Sequence, residues 1–278
     1  MNFDSKRFTT LIKHDILENK ATYIRLYIGA FAAFSMIILL TLLTMDFGYQ
    51  TDYYGKKEFS LDTLQSACVG ANTICMVALA IMASVAASHI FSNMNTKQSR
   101  ISFLMLPATN LEKYLSRYIL HTVLATTGLF LTYMVADLSC SIITLLVTPS
   151  FTSPLLTAFG PYMEEIIDAI KENPGVIFLV LTMPSTLILG GTLFRRVPFI
   201  LTNIATYAIT NCAGIAGLIL FAIVGPIIPD SCGGGEDDFV LNAIFFYLVP
   251  IAWIVFCHWA SYRIFCRSSV IGHKTFGM

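Results

Sequence analysis

Residues 120–147 read LHTVLATTGLFLTYMVADLSCSIITLLV, a run with one carboxylate, Asp137, and no lysine or arginine. A helix over these residues rises roughly 42 Å, more than the roughly 30 Å of a bilayer's hydrocarbon core. A helix in a soluble core shows a polar stripe toward water, and this run has none. Lipid is the solvent it fits.

Working outward, five more runs have the same character: about Tyr23 to Met45, Leu64 to Phe91, Gly175 to Phe194, Phe199 to Ile228 and Phe239 to Ile264. The run 64–91 is longer than a bilayer needs, so tilt or extension beyond the membrane is expected. The whole chain agrees. Of its 278 residues 56% are hydrophobic and 12% are charged, against about 25% charged in soluble domains. Mean hydropathy is +0.72. The expected fold class is therefore an all-α polytopic membrane protein of six transmembrane helices, one transmembrane domain over residues 1–278. The first 20 residues lack the apolar core of a cleavable signal, so the first span is expected to stay as an anchor.

The basic residues orient the spans. Lys6, Arg7, Lys13, Lys20, Arg25, Lys97, Arg100, Lys113, Arg117, Arg195, Arg196, Arg263, Arg267 and Lys274 fall in one set of segments, 14 of the 17 basic residues. Only Lys56, Lys57 and Lys171 fall in the opposite set. The first set is expected to be cytoplasmic, which puts both termini inside. The opposite loops hold 12 of the 17 carboxylates. Net charge is zero, so no bulk basic field argues for nucleic acid.

Two segments have the period of amphipathic helices. In the leader, residues 1–21, Phe8, Leu11, Ile12, Ile16 and Leu17 share one face. Lys6, Lys13, Asp15 and Glu18 are expected on the others. This helix is expected on the inner leaflet. In the outer loop, residues 148–174, Phe159, Tyr162, Met163, Ile166, Ile167 and Ile170 oppose Glu164, Glu165, Asp168 and Glu172. Pro161 suits a first turn there, and Asn173-Pro174 stops the helix. That helix is expected on the outer leaflet or as a cap on the bundle.

The cytoplasmic loop, residues 92–119, is broken by Pro107. After it, Thr109 or Asn110 caps a new helix, with Glu112 in its first turn and Lys113 beside it. The new helix is expected to run into the third span. Before Pro107, Ile101, Phe103, Leu104 and Leu106 are apolar in a loop facing water, beside Lys97 and Arg100. They form either a docking surface or a patch packed under the bundle.

Motifs for chemistry are missing. There is no HExxH, GxSxG or GxxxxGK[ST], so no zinc-protease arrangement, nucleophile elbow or P-loop. One family of intramembrane proteases pairs two glutamates with an arginine four residues on. After Glu164-Glu165 that position is Ala169. His89, His121 and His258 all fall near the inner face, as ligands or as packing. The seven cysteines hold no CxxC pair, and Cys68, Cys75, Cys140, Cys212 and Cys257 lie in apolar runs. No catalytic residue, metal site or cofactor is expected on this chain. Inside the spans, Asp137 is either a pathway residue or a structural hydrogen-bond group. Asn72, Asn203, Asn211 and Asn242 are expected to bond across helices. Ala80, Ala83, Ser84, Ala87 and Ser88 give the second span a small-residue side.

These features carry a resemblance. The stretch Ser102 to Arg117, within SRISFLMLPATNLEKYLSRYIL, and the leader FTTLIKHDILENKATYIRLYIG resemble an uncharacterised bacterial branch of type-2 ABC transporter permeases. The resemblance implies a permease-like subunit of an exporter in the bacterial inner membrane. Two such chains, identical or different, would pair on two copies of a separate ATP-binding subunit, on which the loop around Lys97 to Leu106 would dock. The chain departs from that family in its loops. The outer loop at about Pro229 to Asp238 is short, and the larger outer element lies between spans three and four. A non-transporting accessory or sensor protein of the same architecture, and a membrane-embedded enzyme, are the alternatives.

Overall fold

The computed structural model describes residues 4–51, 56–91, 97–148, 152–172, 176–194, 197–224 and 247–267. It is 89% helical. Four helices are long and apolar enough to cross a membrane: Lys20–Thr44, Leu61–Ser88, Asn110–Val147 and Val249–Arg267. A bent pair, Val180–Leu193 and Pro198–Cys212, makes a fifth if it counts as one broken span. Among the described residues there are thus four or five helices of this kind.

In chain order the helices are α1 (Ser5–Glu18), α2 (Lys20–Thr44), α3 (Leu61–Ser88), α4 (Lys97–Leu104) and α5 (Asn110–Tyr118), then α6 (Ala125–Val147), α7 (Pro154–Glu172), α8 (Val176–Leu193), α9 (Pro198–Val224) and α10 (Val249–Arg267). A π-helical turn, Ile119–Leu124, joins α5 to α6 without a break. Between α2 and α3 stands a small antiparallel hairpin, β1 (Tyr49–Thr51) with β2 (Lys57–Phe59), Tyr49 opposite Phe59. The chain enters it through Asp46, Phe47 and Gly48, all at positive φ. Strands of three residues carry too little alternation to be read from sequence.

The residues group into two compact units. One comprises residues 5–83 and 122–168. Its core is a stripe of α2, Ala30, Phe34, Ile38 and Leu42, repeating every four residues. Leu64, Cys68 and Cys75 of α3 and Leu129, Tyr133, Ala136 and Cys140 of α6 close on it. The Phe34 and Tyr133 rings meet edge to face at 5.4 Å. At Gly128 a Cβ would stand 2.5 Å from the Tyr27 hydroxyl, so the ring lies directly against the glycine. The outward faces are as apolar as the core: Met36, Leu40, Ile74, Val77, Leu138 and Leu146 are exposed. Soluble monomers do not expose apolar surface on this scale, and a lipid-facing bundle does.

In α1 the buried face runs through Leu11 and Asp15, and Asp15 is 1% exposed. This corrects its expected place on an outer face. Ile16 and Leu17, expected on the apolar face with Leu11, are exposed. α7 also differs from its reading. It starts at Pro154, with Pro161 inside the helix. The Ser153 hydroxyl accepts the Leu156 N–H at 3.2 Å, so Ser153 caps the helix and Pro154 fills the first-turn place assigned to Pro161.

The other unit comprises residues 1–4, 84–121 and 169–278. There α8 packs along α10 and against α9. Ala87 and Ser88, on the small-residue side of α3, are buried, and the Ser88 carbonyl presses on Gly191 of α8. Thr202 of α9 presses likewise on Gly190. Both contacts need the missing side chain, and together they let three helices approach closely.

Candidate functional site

Two places gather the residues that carry interest, one in each unit. The first is the elbow of α4 and α5. The stretch before Pro107 is the helix Lys97–Leu104, not an irregular loop. Phe103 is buried, with Tyr114 of α5 and Phe265 of α10, while Phe91, Leu106 and Tyr262 pack on them. Phe91 and Phe265 stack at 5.2 Å, and Tyr114 and Tyr262 meet edge to face at 5.5 Å. The Arg117 guanidinium lies 4.7 Å over the Phe103 ring, a favourable use of the ring's negative face. The Tyr114 hydroxyl donates to Ser261 Oγ at 3.2 Å.

The elbow's second half is fixed by a capping box. The Glu112 N–H donates to Thr109 Oγ1 at 3.2 Å, and the Thr109 N–H donates to Glu112 Oε2 at 2.8 Å. The Asp4 N–H donates to Glu112 Oε1 at 2.8 Å, so both carboxylate oxygens are engaged. Glu112 and Lys113 are buried. Of the apolar docking candidates, Phe103 therefore belongs to the packed base, and Ile101 and Leu106 are half-buried. Of the two readings of this patch, Phe103 follows the packed one, because the rings of Phe91, Tyr114, Tyr262 and Phe265 offer it an apolar environment. Met105 and Pro107 form the open tip, with Met105 77% exposed. Lys97 and Arg100 stand in the first turn of α4, and their side chains and that of Leu104 lie outside the described residues.

The second place is Asp137 in α6. Its Oδ2 accepts the Ser153 hydroxyl at 2.5 Å, and its Oδ1 accepts the Leu155 N–H at 3.1 Å. The carboxylate thus caps α7 from another helix, where negative charge suits the helix dipole. Nearby, Asn72 Oδ1 accepts the Tyr133 hydroxyl at 2.5 Å, both side chains fully buried. Asn72 does bond across helices. Asn203 and Asn211 instead donate to Phe199 and Tyr207 carbonyls of their own helix, each at 2.7 Å. For these two the acceptor four residues back is the nearest one. Asn242 lies outside the described residues.

Among the described residues, His89, His121 and His258 are not a group whose ligand atoms lie close enough together to share an ion. His258 faces Tyr118 and lies 3.4 Å from Ser185 Oγ, and His89 bonds the Val85 carbonyl and Ser88. Among the described residues the group with ligand atoms close enough to hold an ion is His14, Asp15 and Glu18. Its His14–Glu18 pair is a 3.7 Å exposed contact one turn apart.

No family model, no curated protein and no solved structure matches this chain. Function therefore rests on the two places just described. Sequence reasoning missed Ser153, Tyr114, Tyr262 and Phe265. The Ser-Pro pair before an apolar helix is a visible signal for Ser153. Tyr262 and Phe265 come from α10, far along the chain from Phe103 and Tyr114, and no local pattern announces the pairing.

Proposed function

We propose that this chain is a permease-like transmembrane subunit of a type-2 ABC exporter, driven by a separate ATP-binding subunit. The observation that carries this reading is the elbow. Its base is packed in aromatic rings and capped by Thr109 and Glu112, its tip at Met105 and Pro107 is open, and its second arm is one continuous helix, Asn110–Val147. A push on the tip is delivered along a span of 38 residues. An unmotored bundle has no evident use for such a lever.

In this reading α8 and α9 are separate spans, giving six in all. α8 alone has 18 residues, about 27 Å of rise, and α9 has 27. The split of basic residues, 14 against 3, supports placing the elbow and both termini in the cytoplasm of a bacterial cell. Two permease chains pair over the ATPases. The chain has no P-loop of its own, which fits a partner that binds ATP.

Purification of the chain from native membranes in mild detergent tests the reading. An ATPase with a P-loop is expected to copurify, and Lys97→Glu with Arg100→Glu is expected to reduce its recovery several-fold. Recovery of a folded chain with no ATPase overturns the proposal.

A further inference from the structure

The first turn of α7 is bonded to Asp137, and Asp137 stands ten residues before the end of α6 at Val147. Ten helical residues rise about 15 Å. The next anchor is as deep. The Tyr162 hydroxyl meets Thr73, twelve residues into α3 from Leu61 and so about 18 Å along it. The Tyr133–Asn72 bond keeps α3 and α6 in register here, so both depths are measured from the same end of the unit. The start of α7 is held inside the bundle's length rather than on top of it.

The faces of α7 fit that depth. Ala158 is fully buried, and Leu155 packs on the core of α2, α3 and α6. The opposite face, Leu156, Phe159 and Met163, is exposed. α6 has an exposed apolar surface too, at Leu138, Ile142 and Leu145. The ten residues Pro154 to Met163, which include the Tyr162 anchor, carry no charge. A charge at depth in lipid is strongly unfavourable, and a neutral apolar face is not. Free backbone groups at such depth need partners. Asp137 and Ser153 supply them to the first N–H groups of α7.

We propose that α7 is a re-entrant helix, its Leu156–Phe159–Met163 face immersed among the acyl chains of the leaflet at the C-terminal end of α6. The inference rests on reading α6 as a membrane span. It does not need an ATPase partner or a transport function.

Depth-resolved tryptophan quenching tests it. The chain carries two tryptophans, Trp253 and Trp259, so Trp253→Phe with Trp259→Phe gives a silent background. Single reporters are then placed by Phe159→Trp, Leu138→Trp and Leu146→Trp, and the folded chain is reconstituted in phosphatidylcholine vesicles brominated at shallow or deep acyl positions. The Phe159→Trp reporter is expected to match Leu138→Trp, quenched at least twofold more by deep than by shallow bromines. Leu146→Trp is expected to show the reverse order. Adding Asp137→Ala is expected to move the Phe159→Trp reporter toward the shallow pattern, and Asp137→Asn to move it less. Quenching of the Phe159→Trp reporter by aqueous iodide, or a depth equal to that of Leu146→Trp, overturns the proposal while leaving α6 a span. Failure of any brominated lipid to quench Leu138→Trp overturns the membrane reading beneath it.

Discussion

Asp137 is the residue on which most depends, because it is a carboxylate that serves a helix other than its own. A hydrogen bond contributes about 0.5–1.5 kcal/mol, and a buried polar group left without its partner costs about 1–3 kcal/mol. Asp137→Ala removes two at once and leaves the Ser153 hydroxyl and the Leu155 N–H buried without this acceptor. A loss of about 3 kcal/mol is expected in detergent-solubilised unfolding, with Asp137→Asn about half as severe because an amide oxygen still accepts. If Asp137→Ala unfolds like the parent, the capping role is wrong. Tyr133→Phe is a smaller change in the same core. It strands the Asn72 oxygen and is expected to cost about 1–3 kcal/mol by the same measurement. Asp137 could be read from sequence as costly and inward-facing, since lipid punishes an unpartnered charge. Its partners could not, because Ser153 and Leu155 lie beyond the end of the span and the turn back into it has no periodic signature. Asp15 was misplaced for a related reason. In a helix that alternates apolar and charged residues, hydropathy assigns every carboxylate to water.

Among the elements, the α4–α5 elbow and α7 illustrate what local pattern does and does not reveal. Thr109 and Glu112 stand at the spacing of a capping box, and the structure contains that box. Thr109→Ala is expected to cost about 1 kcal/mol, and Glu112→Ala more, since Glu112 also accepts the Asp4 N–H. Hydrogen exchange should quicken at residues 109–113 in both variants, and at the N-terminus only in Glu112→Ala. Equal exchange in the two would remove the Asp4 contact from the account. Small-residue contacts act between elements. Gly191→Leu drives a side chain into the Ser88 carbonyl and is expected to destabilise by at least about 1–3 kcal/mol, whereas Gly160→Ala, with open space around it, should not. The long apolar runs of α2, α3 and α6 were legible because lipid imposes one rule on every residue of a span. The start of α7 was not, because two prolines, Pro154 and Pro161, compete for the first-turn position. The tie is broken by Asp137 from another helix.

At the scale of the molecule, the chain shows apolar helices with apolar exteriors and an elbow continuous with a long helix. These properties are consistent with a bundle that receives work from elsewhere. The reading commits to a physical contact at one exposed position. Met105 stands at the open tip, next to Pro107 and clear of the aromatic base. A photoreactive amino acid at Met105, irradiated in native membranes and followed by mass spectrometry of the adducts, examines that contact directly. The account predicts one dominant protein adduct, a polypeptide with a P-loop. It also predicts that the same reporter at Leu146, at the far end of α6, gives none. Adducts from Met105 to lipid alone, or an ATPase captured at Leu146 and not at Met105, would contradict it.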